Sequence, residues 1–188
     1  MKAFSFVHAA DLHLGYSQYG LEARREDFDK AFEELVNRTI ELKPDLMIIA
    51  GDLFHQARPS NVTLENAIRN FSRLREAGIP VLTVDGSHDS APNTITGTIL
   101  HPLDSAGLIY PLPRHEGASW RKEGCCYVYG VPNYRTRNKT GEAIPAFMEQ
   151  NKPAPEPDLF NIFVFHMAID LPGITPPYIE AEASPELI

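Results

Sequence analysis

The chain has 188 residues, 43% of them hydrophobic, which suits a single domain with a substantial core. Its net charge of −8 argues against a nucleic-acid binder that relies on a basic surface, although residues 153–188 carry six of the acids and no Lys or Arg. The sequence has no run of about 18 apolar residues and therefore predicts no membrane span. With no apolar leader, and with Cys125 and Cys126 adjacent, it predicts a reducing cytoplasmic location without disulfides.

Hydrophobic periodicity predicts alternating strands and helices along the first half of the chain. Strands are predicted at 4–9, 45–50 and 79–84, with helices at 24–42 and 64–74 between them. The later part is less regular, with predicted strands at 127–131 and 161–165, a short helix at 141–150 and a Pro-rich loop at 153–157. Strand–helix alternation of this kind is the signature of a layered α/β sheet.

Acids and histidines follow four of the predicted strands at the point where each strand ends. The carboxyl ends of strands face the ligand crevice of an open α/β sheet, so these side chains are expected at one edge. Mixed carboxylate and imidazole donors suit Mn²⁺, Fe²⁺ or Zn²⁺. One Asp-x-His or Gly-Asp alone is more often a turn. The repetition after four strands indicates a metal site, built from Asp11, His13, Asp52, His55, His88, Asp89 and His166.

The order of these motifs resembles that of the calcineurin-like metallophosphoesterases. Asp11-Leu12-His13, Gly51-Asp52 and Gly86-Ser87-His88-Asp89 precede a late strand that ends at His166. Two longer segments, 8–16 and 50–60, resemble more narrowly the Mre-eleven nucleases and their bacterial SbcD counterparts. The resemblance runs from residue 1 to about 170. It implies a layered β-sandwich flanked by helices, of α/β class and metallophosphoesterase fold.

The resemblance also implies a manganese-dependent DNA nuclease, acting as exonuclease and endonuclease in double-strand-break repair. Its implied partners are DNA, a Rad-fifty/SbcC-type ATPase and a second copy of the chain. The implied cofactors are two divalent metal ions, with manganese expected. The implied metal ligands are Asp11 and His13 for the first ion, Asp52 bridging both, and His166 for the second. The implied catalytic residues are His88 for proton transfer, Asp89 to orient it, and His55 to handle the substrate strand.

Two departures from the family pattern affect these expectations. Ser87 stands where the family usually has an Asn ligand, so the second ion is expected to be held more weakly or with help from Asp85 or Asp89. The family also completes its metal site with a later Gly-x-His segment. Residues 1–188 are therefore expected to be the N-terminal part of the nuclease domain, truncated before the last ligand segment and the capping domain. The metal site of this chain is then expected to be incomplete.

Candidate DNA contacts lie on two loops. Arg58 follows the Gly-Asp loop, and Arg135 and Arg137 follow the Gly130-Val131-Pro132 turn, where phosphate contact and simple solvation are equally plausible. Two alternatives to the nuclease stay open: another phosphoesterase of the same fold, acting on phosphoproteins or cyclic nucleotides, and an inactive scaffold that docks an ATPase.

Overall fold

The computed structural model describes residues 2–90, 97–134 and 137–185, and for 137–140 it describes the backbone alone. In this part of the chain, seven strands form two sheets. The strands are β1 (Phe6–Ala9), β2 (Leu46–Ala50), β3 (Val81–Val84), β4 (Tyr110–Pro111), β5 (Ser119–Lys122), β6 (Cys126–Gly130) and β7 (Phe160–Val164). The helices are α1 (Glu22–Leu42), α2 (Asn61–Glu76), α3 (Leu100–Ser105) and α4 (Arg137–Asn151).

The first sheet is parallel, with the strand order β1-β2-β3-β4. All five residues of β2 are buried, which agrees with its unbroken apolar sequence Leu-Met-Ile-Ile-Ala. Such a run is typical of a strand covered on both faces. The register pairs Ala9 with Ile49 and Ala50 with Val84, so β1, β2 and β3 end at nearly the same level.

Helices α1, α2 and α3 cover one face of the first sheet. Phe32 of α1 and Phe71 of α2 are buried there, with ring centroids 5.4 Å apart, against Met47 and Ile49 of β2. The Ser60 side chain caps α2 by accepting a hydrogen bond from the Thr63 N–H at 3.2 Å. This cap satisfies an amide that the helix itself leaves unpaired.

The second sheet covers the other face of the first sheet and creates a second core. Its strand order is β5-β6-β7, with β5 antiparallel and β7 parallel to β6. Ile48 and Leu82 of the first sheet pack in this core with Val128 and Val164 of the second. The predicted α/β sandwich with flanking helices is thereby confirmed.

The predicted strands and long helices are present with small shifts at their ends. Sequence reasoning missed α3, β4 and β5, which have two to six residues each and show little periodicity. Cys125 and Cys126 are free thiols that both lie in the inter-sheet core, because β6 begins only at Cys126. Among the described residues, no helix has the length and apolar character needed to span a membrane.

Candidate metal centre

The two sheets bring four chain segments together at one edge of the sandwich. Asp11 follows β1, Asp52 follows β2, His88 lies four residues beyond β3, and His166 lies two residues beyond β7. Parallel pairing aligns the carboxyl ends of β1, β2 and β3, where ligand sites form in α/β folds, and the packing of the second sheet brings the end of β7 beside them. The expected convergence of the four strand ends is therefore present.

The loops after β1 and β2 are joined by backbone hydrogen bonds. The Asp11 N–H donates to the Gly51 carbonyl at 3.1 Å, and the His13 N–H donates to the Asp52 carbonyl at 3.0 Å. Asp11, His13 and Asp52 all adopt left-handed backbone conformations, with φ of 56°, 45° and 50°. Non-glycine residues rarely adopt such angles, which cost of order 1 kcal/mol each and cluster at functional sites. The cross-loop bonds hold these three side chains in unusual orientations.

Two carboxylates and two imidazoles meet at this edge. Nε2 of His166 lies 3.5 Å from Asp52 Oδ2 and 3.9 Å from Asp11 Oδ1, and Nε2 of His13 lies 3.8 and 3.9 Å from the same two oxygens. Asp11, Asp52 and His166 each present one ligand atom within 4.8 Å of the others. Asp52 is buried and Asp11 is open to solvent, so one side of the cluster is accessible.

The backbone fixes the orientation of the His166 ring. Its Nδ1 donates to the carbonyl of Ala50 at 2.7 Å, which leaves Nε2 facing the carboxylates. Ring nitrogens that bind metals are commonly oriented in this way by a carbonyl on the opposite nitrogen. Hydrogen bonding to Asp52 raises the pKa of His166 to about 9, against the opposing effect of burial. Without a metal, a proton therefore occupies the space between the two groups.

Asp52 is 4% exposed, and hydrogen bonds from neighbouring groups stabilise its negative charge. Burial alone would raise the pKa of its carboxyl group, but hydrogen bonds from His166 and from the His88 N–H, at 2.9 Å to Oδ1, outweigh it and the pKa is lowered. An ionised carboxylate at the centre of the cluster is the state that a cation requires.

Two glycines allow the cluster to close. A Cβ on Gly51 would lie 2.3 Å from the His166 ring, and a Cβ on Gly86 would lie 2.1 Å from Asp52 Oδ1. Both distances are far below van der Waals contact. Glycine at these positions is therefore required for the approach of the ligands, in addition to the turn that Gly51 makes at φ 88°.

The orientation of His88 differs from expectation. Its Nδ1 donates to the carbonyl of His55 at 2.7 Å. The buried carboxylate of Asp89 instead accepts the N–H groups of Leu53 at 2.9 Å and Phe54 at 2.7 Å. Asp89 thus holds the loop that carries Asp52, and the carbonyl of His55 performs the orienting role that was expected of Asp89.

Three imidazoles form a second group beside the carboxylates. His13, His55 and His88 present ligand nitrogens within 4.8 Å of one another. The Nδ1 atoms of His13 and His55 are buried without a hydrogen-bond partner. Burial, and then the nearby rings of His88 and His13, lower the pKa of His55 and favour its neutral form.

A cavity of about 650 Å³ opens beside the cluster, lined by Asp11, Ser87, Asn133, His166 and Glu182 among other residues. Ser87, at the expected ligand position, is exposed on its rim. Asn133 is 8% exposed and its amide donates to the His166 carbonyl, a contact that sequence reasoning missed. The signal was available, because Asn133 follows β6 as the other site residues follow their strands.

The candidate DNA contacts fall partly outside the described residues. Arg58 is exposed on the loop after β2, three residues beyond His55. Arg135 lies outside the described residues. Arg137 is the first residue of α4, and its side chain is likewise not described. Their contact with DNA stays a prediction.

The residues present fit divalent metal ions. The ionised carboxylate of Asp52, the Nε2 of His13 beside it and the carbonyl-oriented ring of His166 form a mixed oxygen and nitrogen donor set. Such a set suits first-row divalent metals. Asp11, His13, Asp52 and His166 are the residues that would hold them.

Comparison with known proteins agrees with this geometry. The family model described as "Calcineurin-like phosphoesterase" matches residues 4–182. The chain belongs to this family. The chain is also similar to archaeal proteins named "DNA double-strand break repair protein Mre11", which confirms the resemblance seen in the sequence.

The Mre11 protein of Methanopyrus kandleri is 30% identical over 176 residues, covering 90% of this chain and 38% of that protein. The one of Archaeoglobus fulgidus is 42% identical over 104 residues, covering 55% of this chain and 23% of that protein. The chain thus spans well under half the length of these relatives. Among solved structures, TT1561 of Thermus thermophilus shares the fold, with a TM-score of 0.57 and 17% identity over 93% of this chain and 72% of that one.

Proposed function

We propose that this chain is part of a metal-dependent DNA nuclease of double-strand-break repair, using Mn²⁺ and acting as exonuclease and endonuclease. The observation that carries the proposal is the meeting of Asp11, His13, Asp52 and His166 at one sheet edge, with His88 hydrogen-bonded to Asp52 through its backbone. The names of the archaeal relatives support DNA as the substrate.

The proposed reaction is in-line hydrolysis of a phosphodiester. When bound, two divalent cations would act as Lewis acids toward the attacking and leaving oxygens. Asp52 would bridge them, with Asp11 and His13 holding the first and His166 the second. Ser87 lines the same cavity as Asp11 and His166 and would contribute its hydroxyl to the coordination of the second ion.

His88 is the proposed proton donor. Because its Nδ1 bonds the His55 carbonyl, Nε2 is the nitrogen left to face a substrate. Its ring centroid lies 4.8 Å from that of His13, so the ring is adjacent to the metal ligands without being one of the proposed set. A protonated Nε2 would supply the proton that the leaving alkoxide needs.

The net charge of −8 does not exclude DNA. Bound divalent cations reverse the sign of the field at a carboxylate cluster, so a polyanion can approach it. Exposed Arg58 lies three residues beyond His55 and would contact a phosphate of the substrate.

The remaining partners and the location are proposed from the resemblance to the Mre-eleven nucleases. A Rad-fifty/SbcC-type ATPase, homodimerisation and a cytoplasmic location are proposed on that basis. We also propose that residues 1–188 are the N-terminal part of the nuclease domain. A further ligand segment and a capping domain would lie beyond the portion matched here. This proposal is supported by the 38% share of the Methanopyrus kandleri protein that the chain covers.

A substrate panel tests the proposal. A longer chain that carries the proposed further ligand segment is incubated with Mn²⁺ and with linear duplex DNA, circular single-stranded DNA, a cyclic nucleotide or a phosphopeptide. We expect the duplex to be shortened and the circle opened, with little release from the two small substrates. The His88→Gln variant should lower the DNA rate by about 100-fold or more, as for loss of a general acid.

The matched control is His101→Gln, which removes an exposed imidazole from α3 outside the site. It should cleave DNA at the wild-type rate. Preferential hydrolysis of the cyclic nucleotide or phosphopeptide would contradict the nuclease function and indicate another phosphoesterase of the same fold. Equal rates for wild type and His88→Gln would remove His88 from the mechanism, and an inert chain on every substrate would favour the scaffold.

A further inference from the structure

We propose that His13, His55 and His88 form a second, imidazole-only metal site that binds Zn²⁺, beside the carboxylate cluster of Asp11, Asp52 and His166. The site would take an ion of the zinc class, with three protein nitrogens and a fourth position open to water or an anion. The site shares only His13 with the proposed catalytic metal centre.

The three rings are close enough to close around one ion. Their ring centroids are separated by 4.8 Å for His13 and His88, 5.0 Å for His55 and His88, and 5.5 Å for His13 and His55. Their ligand nitrogens lie within 4.8 Å of one another. Zn–N bonds of about 2.0–2.1 Å in a tetrahedral site place the nitrogens about 3.3 Å apart. Side-chain rotations that move each nitrogen by about 1 Å would therefore complete the site.

The hydrogen bonds leave lone pairs available. His88 uses Nδ1–H to donate to the His55 carbonyl, so its Nε2 carries the lone pair. The Nδ1 atoms of His13 and His55 are buried without a partner. Buried polar nitrogens nearly always have a hydrogen-bond partner or a ligand. Two such atoms within one three-histidine group indicate that a ligand belongs there.

The donor set distinguishes this site from the carboxylate cluster. It contains no carboxylate, whereas the other group joins His166 to the carboxylates of Asp11 and Asp52. Neutral imidazole suits Zn²⁺ and Cu²⁺, whereas Mn²⁺ prefers oxygen donors. The trio is therefore expected to prefer Zn²⁺ over Mn²⁺, and an ion in the trio competes with the first ion of the carboxylate cluster for His13.

Occupancy of the trio would affect catalysis through two residues. An ion there engages His88, the proposed proton donor, and His13, whose Nε2 lies 3.8 Å from Asp52 Oδ2. Inhibition by Zn²⁺ is the consequence, and this consequence alone rests on the proposed nuclease function. The binding of zinc itself requires only the three rings.

Calorimetric titration with Zn²⁺ tests the binding. The Asp11→Asn/Asp52→Asn variant disables the carboxylate cluster and should still bind one Zn²⁺ per chain. Adding His55→Gln to that variant should weaken binding by about 10-fold or more, since one of three ligands is lost. His101→Gln in the same background is the matched control and should bind as the parent variant does.

Circular dichroism establishes that each variant is folded, and His88→Gln provides a second, independent removal of a ligand. Binding that vanishes in the Asp11→Asn/Asp52→Asn variant, or that is unaffected by both His55→Gln and His88→Gln, would overturn the proposal. A parallel Mn²⁺ titration of Asp52→Asn tests the carboxylate cluster separately. The Zn²⁺ titrations therefore test the three-histidine site and the Mn²⁺ titration tests the carboxylate cluster, so that the two proposals can be rejected independently.

Discussion

Gly51 joins the end of β2 to Asp52 and lies directly against the ring of His166. Its replacement by alanine tests how tightly the ligand residues are packed. Gly51 has φ +88°, and an added Cβ would lie 2.3 Å from Cγ and 2.5 Å from Nδ1 of His166. Ordinary contact begins near 3.4 Å, so the ring would have to move by about 1 Å. That movement breaks its hydrogen bond with the Ala50 carbonyl.

Gly78 supplies a matched control. It also has a left-handed backbone, with φ +73°, but an added Cβ would meet nothing within 4 Å. Gly78→Ala therefore isolates the backbone strain, which should lower the free energy of unfolding by about 1–2 kcal/mol. Gly51→Ala adds overpacking and a lost hydrogen bond, and should lower it by about 3–5 kcal/mol.

The assay combines urea unfolding with Mn²⁺ calorimetry on both variants. Displacement of a ligand ring commonly weakens metal binding by about 10–100-fold, and we expect this loss in Gly51→Ala alone. Equal losses of stability in the two variants, together with unchanged Mn²⁺ affinity in Gly51→Ala, would refute the inference that Gly51 is required for the approach of His166.

Three further predictions concern groups that hold the site in place. Because the pKa of His166 is raised to about 9, protonated His166 should stabilise the metal-free chain fully below about pH 6.5. The free energy of unfolding should fall by about 1–2 kcal/mol, after solvent screening, as the pH rises through 9. Thermal melts should show this dependence of stability on pH in the wild type and not in His166→Gln. Asp89→Asn should lose about 2–4 kcal/mol in urea unfolding because a backbone N–H is left unpaired, whereas exposed Asp170→Asn should lose almost none. Ser60→Ala should lose about 1 kcal/mol through its helix cap, and an unchanged unfolding midpoint would contradict this.

The sequence predicts the layers of the fold and the placement of the ligands because both depend on local patterns. The unbroken apolar run of β2 identifies a strand covered on both faces, and the helical spacing of Phe32 and Phe71 identifies the helix faces that cover it. Since β1, β2 and β3 are parallel and end at one edge, Asp11, Asp52 and His88 could be placed together without coordinates. His166 follows a strand of the second sheet, so its approach to Asp52 depends on how the two sheets pack.

The finer geometry could not be predicted in this way. The left-handed conformations of Asp11 and His13 result from hydrogen bonds between two loops far apart in sequence, which no local pattern specifies. The position of Asp89 beside His88 suggested a direct contact, but its carboxylate turns toward the loop after β2. Asn133 follows β6 as the other site residues follow their strands, but its hydrogen bond to the His166 carbonyl depends on the pairing of β6 with β7.

Calorimetric titration of the chain with Mn²⁺, alongside Asp52→Ala, tests the central claim most directly, since Asp52 lies between both imidazoles of the cluster. The wild-type chain should bind Mn²⁺ and the variant should not. Mn²⁺ binding that is measurable and identical in the two proteins would contradict a metal centre built on Asp11, His13, Asp52 and His166.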